Sequence, residues 1–156
     1  MTNRALPLPT AIGLLVLRLG IGGYMLSHGV GKLRMLLDGA EFADPIGIGK
    51  SASLLLVTGA EFGGAILVVL GLATRLGAAS IVAAMAVAAF VVHADDPWSM
   101  ETAAKAFFAG ESQSFASKES ALLFLIPALA LVFTGGGPIS LDRWIASRWR
   151  ARRRRI

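Results

Sequence analysis

Apolar residues run through this chain in long blocks separated by polar segments, without the interleaving of a soluble surface helix or strand. Four blocks approach the roughly 20 residues that a helix needs to cross the hydrocarbon of a bilayer. They are 10–31, 51–72, 76–92 and 120–136. Arg18 is the single formal charge of the first and Glu61 that of the second, while the other two have none. The pattern predicts an all-α fold, a four-transmembrane-helix bundle forming one domain over 1–156. The last two spans are short, so they recruit flanking residues or sit in thin bilayer. Pro127 lies inside the fourth, where it removes a backbone donor and is expected to kink the helix.

The connections differ in kind. Residues 72–76 allow only a tight turn, so spans two and three form a hairpin. Lys32 to Lys50 and Ala94 to Glu119 are long loops. In the second, Asp96 and Pro97 read as an N-cap followed by a first-turn proline, and Trp98, Phe107 and Phe108 suit a short interfacial helix. After span four, Leu141, Trp144, Ile145, Arg148 and Trp149 form a helical stripe, which predicts a second interfacial helix at the C-terminus. The first block is too long for a signal-peptide core and contains Arg18, so it is expected to be a retained span.

Composition strengthens the membrane reading. Hydrophobic residues make up 55% of the chain and charged ones 16%, against about 25% charged in soluble domains; mean hydropathy is +0.68. The absence of cysteine excludes disulfides, thiol relays and cysteine-ligated clusters. The net charge of +5 is concentrated in the basic tail 143–156. Beside a span, such a tail reads as an anchor on anionic lipid, not as a nucleic-acid site. Arg4, Arg75, Arg143, Arg148, Arg150 and the terminal arginines outweigh Lys32, Arg34, Lys50, Lys105 and Lys118. By the positive-inside rule both termini are cytoplasmic and the acidic loops lie outside, in a multi-pass protein of a bacterial or archaeal cytoplasmic membrane.

Charges inside a span cost about 2.5–3.5 kcal/mol each at mid-helix, so Arg18 and Glu61 are the most informative residues. Counted from the cytoplasmic ends of their spans, their depths differ by roughly one turn, which makes an Arg18–Glu61 pair an expectation, either functional or merely locking the bundle. Arg18, Gly22, Met25, His28, Gly29 and Lys32 share one face of span one, the wrong face for lipid. His28, Lys32, His93 and Glu119 are expected to gather near the outer surface. There they form either a polar cap, with Lys32 held against Glu119, or a ligand site. A quinone head group is the first candidate, its carbonyls accepting from His28 or Lys32. His28, His93 and Glu119 are also metal-compatible, and two histidines on separate helices are haem-compatible. Gly59, Ala60, Gly63 and Gly64 place small residues for close helix contact.

These landmarks resemble the DoxX family of small bacterial and archaeal membrane proteins. The matching pieces are Arg18-Leu19 with Gly22, His28-Gly29, Lys32-Leu33, Glu61 with Gly63-Gly64, Gly71 with Thr74-Arg75, His93, Lys118-Glu119 and Ser140-Leu141-Asp142. The arginine tail and the long second loop depart from the pattern. The resemblance implies a four-helix inner-membrane protein. It also implies links to respiratory electron transfer, as in a thiosulfate:quinone oxidoreductase subunit, or to oxidative-stress partners. The reading is an accessory subunit of a quinone-linked redox system, working with a protein partner or as a homo-oligomer. No catalytic residue and no independent catalysis are assigned. The alternatives are a non-catalytic scaffold or assembly subunit and a small-solute or ion transporter.

Overall fold

The computed structural model describes residues 6–153, and all regular structure among them is helical. Three long helices come first: α1 (Leu8–Leu37), α2 (Lys50–Leu70) and α3 (Thr74–Val92). Each is long and apolar enough to cross a membrane. The short α4 (Met100–Phe108) precedes α5 (Glu119–Thr134), a shorter apolar helix with Pro127 inside it, and α6 (Leu141–Arg153) closes the chain. The helices keep to the apolar blocks, because a backbone in hydrocarbon must satisfy its own donors and acceptors. α1 runs past its block to Leu37, since Lys32 and Arg34 are good helix formers that carry the helix into polar surroundings.

Both α2 and α3 contain one wide π-helical turn, Gly59–Gly63 and Ala88–Val92. Such turns insert a residue, re-aim the side chains around them and recur at functional sites. Glu61 sits inside the first, and His93 terminates the second.

The core is small and tightly approached. Met25, Ala65, Val68, Ile81, Ala89 and Leu131 are buried at its centre, joining α1, α2, α3 and α5. α1 meets α2 backbone to backbone at Gly29: a Cβ there would stand 2.5 Å from both Cα and N of Phe62. Gly64 of α2 and Gly77 of α3 make the equivalent contact, a Cβ on Gly77 falling 2.7 Å from the Gly64 carbonyl. Close approach through small residues is how helices associate without a hydrophobic drive between them. Gly59 and Gly63 have open space where a Cβ would be, so Gly64 makes this close contact and they do not.

One sequence expectation about the loops changes. α4 starts at Met100 and its N-cap is Ser99, whose Oγ accepts from the Thr102 amide at 3.2 Å. Asp96 cannot serve, because its carboxylate is taken by His93 (2.7 Å). Arg4, Arg154 and Arg155, counted in the charge balance, lie outside the described residues.

Candidate functional site

The landmark residues separate into two groups at opposite ends of the bundle. At the α2–α3 turn, the Arg18 guanidinium is buried at 1% exposure. Its Nε donates to the Val68 carbonyl (2.9 Å) and its Nη2 to that of Val69 (2.8 Å). Nη1 donates to the carbonyls of Gly136 (2.8 Å) and Ile139 (2.6 Å). These carbonyls close the end of α2 and the loop after α5, the one of Val68 also accepting from the Gly71 amide at 3.2 Å, and a cation also suits the negative end of the α2 dipole. Asp142 mirrors it. Its carboxylate accepts from the amides of Ala73 (2.8 Å) and Thr74 (3.2 Å) and from the Thr74 hydroxyl (3.3 Å). It thereby caps the start of α3, where Ala73 has no capping side chain of its own. Gly71 must be glycine twice over: its φ is +69°, and a Cβ would run into the Arg18 guanidinium.

The expected Arg18–Glu61 pair therefore does not form. The register of α1 against α2 explains this. Gly22 faces Val69 and Gly29 faces Glu61 and Phe62, so Glu61 lies some 11 residues along α1 from Arg18, about 16 Å of helix rise. Counting depths from the block edges assumed that the spans begin flush. Instead α1 overhangs the α2–α3 turn, and Leu14 packs against Gly137.

At the other end, α1, α2, α3, α5 and the loop before α2 line a half-open cavity of about 780 Å³. Its walls are largely apolar, with Met25, Leu56, Ala84, Met85 and Phe124 among them. Four titratable groups line it: His28, Lys32, Glu61 and His93. Glu61 is buried at 6% exposure. Its Oε2 has no hydrogen-bond partner among the described residues. Lys32 and His28 line the same cavity. An unpaired buried carboxyl oxygen is costly, and here it belongs to a residue re-aimed by a π turn. His28 stands edge-on to Phe124, ring centroids 5.5 Å apart. Lys32 lies 4.5 Å from the centre of the Phe42 ring.

The loop before α2 closes one side of the cavity with Phe42, Ala43, Pro45 and Ile46. Asp44 holds that loop, accepting from Ile48 N (3.0 Å), Gly49 N (2.7 Å) and Ser53 Oγ (2.7 Å). The Ser53 hydroxyl first, with the backbone amides, keeps the Asp44 carboxyl below the usual aspartate range. Leu55 and Leu56 line the cavity yet are 59% and 60% exposed, so its wall opens sideways onto the apolar flank of the bundle.

Glu119 is the one expected cluster member left out. It turns away to accept from the Met100 amide at 2.6 Å, capping α4, and Lys32 meets Phe42 in its place. The set His28, His93 and Glu119 is thus not brought together. Among the described residues no group of three His, Cys, Asp or Glu side chains is arranged to hold a metal ion. Sequence reasoning missed two contributors, Asp44 and Asp96. Asp44 looked like a loop aspartate and Asp96 like a helix N-cap, and only their hydrogen bonds connect them to the cavity.

The DoxX family model matches residues 13–94. That segment contains α2, α3 and nearly all of α1, and it ends before Asp96. No curated protein and no solved structure matches the chain at a significant level. The match spans more than half of the 156 residues and includes Arg18 as well as every titratable group lining the cavity; this helical membrane protein belongs to the DoxX family.

Proposed function

We propose that the protein is an accessory subunit of a quinone-linked redox system, and that the cavity receives the quinone head group. The unpartnered Glu61 oxygen in a largely apolar cavity carries the reading. Its volume lies in the 300–1,000 Å³ range of small-molecule sites, which are mostly apolar with a few placed polar groups. A ring with two carbonyls on an apolar tail fits this lining. Lys32 and His28 donate to a carbonyl, the tail follows the methionine and alanine wall, and the lateral opening beside Leu55 and Leu56 admits it from lipid. Reduction to the hydroquinone takes two electrons and two protons: Glu61 exchanges one proton, and the donor at the carbonyl, Lys32 or His28, passes the other. The chain has no cysteine to carry electrons, and in this reading a partner protein supplies both of them.

In the same reading, α5 is a fourth span of one membrane domain in the cytoplasmic membrane, with both termini cytoplasmic. α6 then lies at the cytoplasmic interface, where Arg148 stacks on Trp144 (4.2 Å) and Arg153 on Trp149 (5.8 Å). Tryptophan and arginine on one interfacial helix suit anionic lipid. One observation favours a scaffold role alongside: Phe107, Phe108 and Phe115 form a mutually stacked group with Phe108 81% exposed. Such a patch suits a partner subunit.

The test is equilibrium binding of decylubiquinone to the purified chain in mild detergent. Glu61→Ala and His28→Ala are each expected to weaken binding about tenfold, the order of one charged or well-placed hydrogen bond. Unchanged affinity in both variants, with helicity retained, would sink the quinone reading.

A further inference from the structure

At the end of α3, the His93 Nδ1 stands 2.7 Å from Asp96 Oδ2, with the two side chains 28% and 34% exposed. An ionised carboxylate can only accept, so the shared hydrogen sits on Nδ1. A neutral imidazole held this way has its lone pair on Nε2. His93 also lines the cavity, and Nε2 is the ring nitrogen that Asp96 does not engage.

The turn that carries Asp96 is held rigidly. Its amide donates to the His93 carbonyl at 3.2 Å. Lys118, only 7% exposed, reaches across from the start of α5 and donates to the carbonyls of Ala94 and Asp96, both at 2.7 Å. The Lys118 amide takes the Pro97 carbonyl at 2.9 Å, and its ammonium lies 5.4 Å from the centre of the Trp98 ring. Asp96 is thus fixed by its backbone and its carboxylate by the imidazole. The ring orientation and tautomer are set before any ligand arrives.

We infer that the Asp96–His93 pair makes the cavity prefer a ligand ring carrying hydroxyl groups, the reduced hydroquinone form, over the same ring carrying carbonyls. The inference rests on the quinone reading of this cavity. A carbonyl oxygen has only lone pairs to offer, so it finds donors in Lys32 and His28 and meets an unwelcoming lone pair at His93. A ring hydroxyl donates to Nε2, and a second finds the unpartnered Glu61 oxygen. Asp96 is a positioning residue, since it acts only by keeping the hydrogen on Nδ1.

Anaerobic equilibrium binding of decylubiquinol and decylubiquinone to the full chain, at about pH 8 where an ordinary histidine is neutral, tests this. The quinol is expected to bind roughly 3- to 10-fold more tightly, the worth of one hydrogen bond. In Asp96→Asn the amide can donate to Nδ1 and move the hydrogen to Nε2, so the preference is expected to level or reverse. Loss of both affinities in proportion, with the ratio kept, would mean that Asp96 only anchors the turn and would overturn the inference. Equal binding of both forms by the unaltered protein would overturn it too, while leaving the quinone site standing. Binding of neither form would remove both. Independently of ligand, ¹⁵N NMR on histidine-labelled His28→Gln, in which His93 is the remaining histidine, is expected to show the Nδ1–H tautomer; the Nε2–H tautomer contradicts the inference.

Discussion

Arg18 answers four backbone carbonyls with three nitrogens, and the Val68 carbonyl also accepts from the Gly71 amide at 3.2 Å. Truncating it leaves buried acceptors without donors, each costing about 1–3 kcal/mol, though such losses do not add simply. Arg18→Ala is therefore expected to lower stability by about 3–5 kcal/mol, read from unfolding of the detergent-solubilised protein. Lysine keeps the charge but not the planar fork, so Arg18→Lys recovers only part. Quinone affinity per folded molecule should stay the same in both, because Arg18 does not line the cavity. A variant as stable as the parent would contradict the role given to Arg18. Legibility at this scale was uneven. Arg18 and Glu61 announce themselves because an ionised group within an apolar block is expensive. Their partners are backbone carbonyls for one and a cavity for the other, and neither leaves a mark in sequence.

For the helices, the decisive contact is α1 against the π turn of α2. Gly29→Ala would push a methyl group into the Phe62 backbone at 2.5 Å. Backbone cannot give as a side chain can, so α1 and α2 must separate, at a cost of about 1–3 kcal/mol. Glu61 moves with them, and decylubiquinone binding should fall as well. Gly63→Ala, next to Glu61 but with nothing within 4 Å of the new methyl, is the control and should stay within about 1 kcal/mol of the parent. Equal effects from the two substitutions would count against the packing argument. The apolar blocks foretold α2, α3, α5 and most of α1 to within a few residues, and the stripe of Leu141, Trp144, Ile145, Arg148 and Trp149 foretold α6. The π turns were not legible, because hydrophobic periodicity does not register one inserted residue among apolar neighbours. The start of α4 was misplaced because Asp96, a good N-cap by type, is claimed by His93.

Topology belongs to the whole molecule. α5 has 16 residues, about 24 Å of helix, against a hydrocarbon thickness of about 30 Å. Spanning requires local thinning or help from the segment that follows. The natural chain has no cysteine, so single cysteines report cleanly. Glu111→Cys is expected to react with a membrane-impermeant maleimide on intact cells. Ser147→Cys is expected to react only after the membrane is opened. Labelling of both from one side would remove α5 as a span, and the reverse pattern would invert the orientation.

From the sequence alone come the helical class, the apolar blocks, the family likeness and the short roster of polar residues that do not belong in lipid. Those follow from local composition, since hydropathy and periodicity are properties of neighbouring residues. The tertiary structure decided the partnerships. It set α1 beyond the α2–α3 turn, so that Arg18 and Asp142 close one end of the bundle. The same register leaves Glu61 facing a cavity with His28, Lys32 and His93, while Glu119 is drawn off to cap α4. Partnerships of this kind depend on the offset between helices, and that offset is set by where a glycine lets two backbones touch.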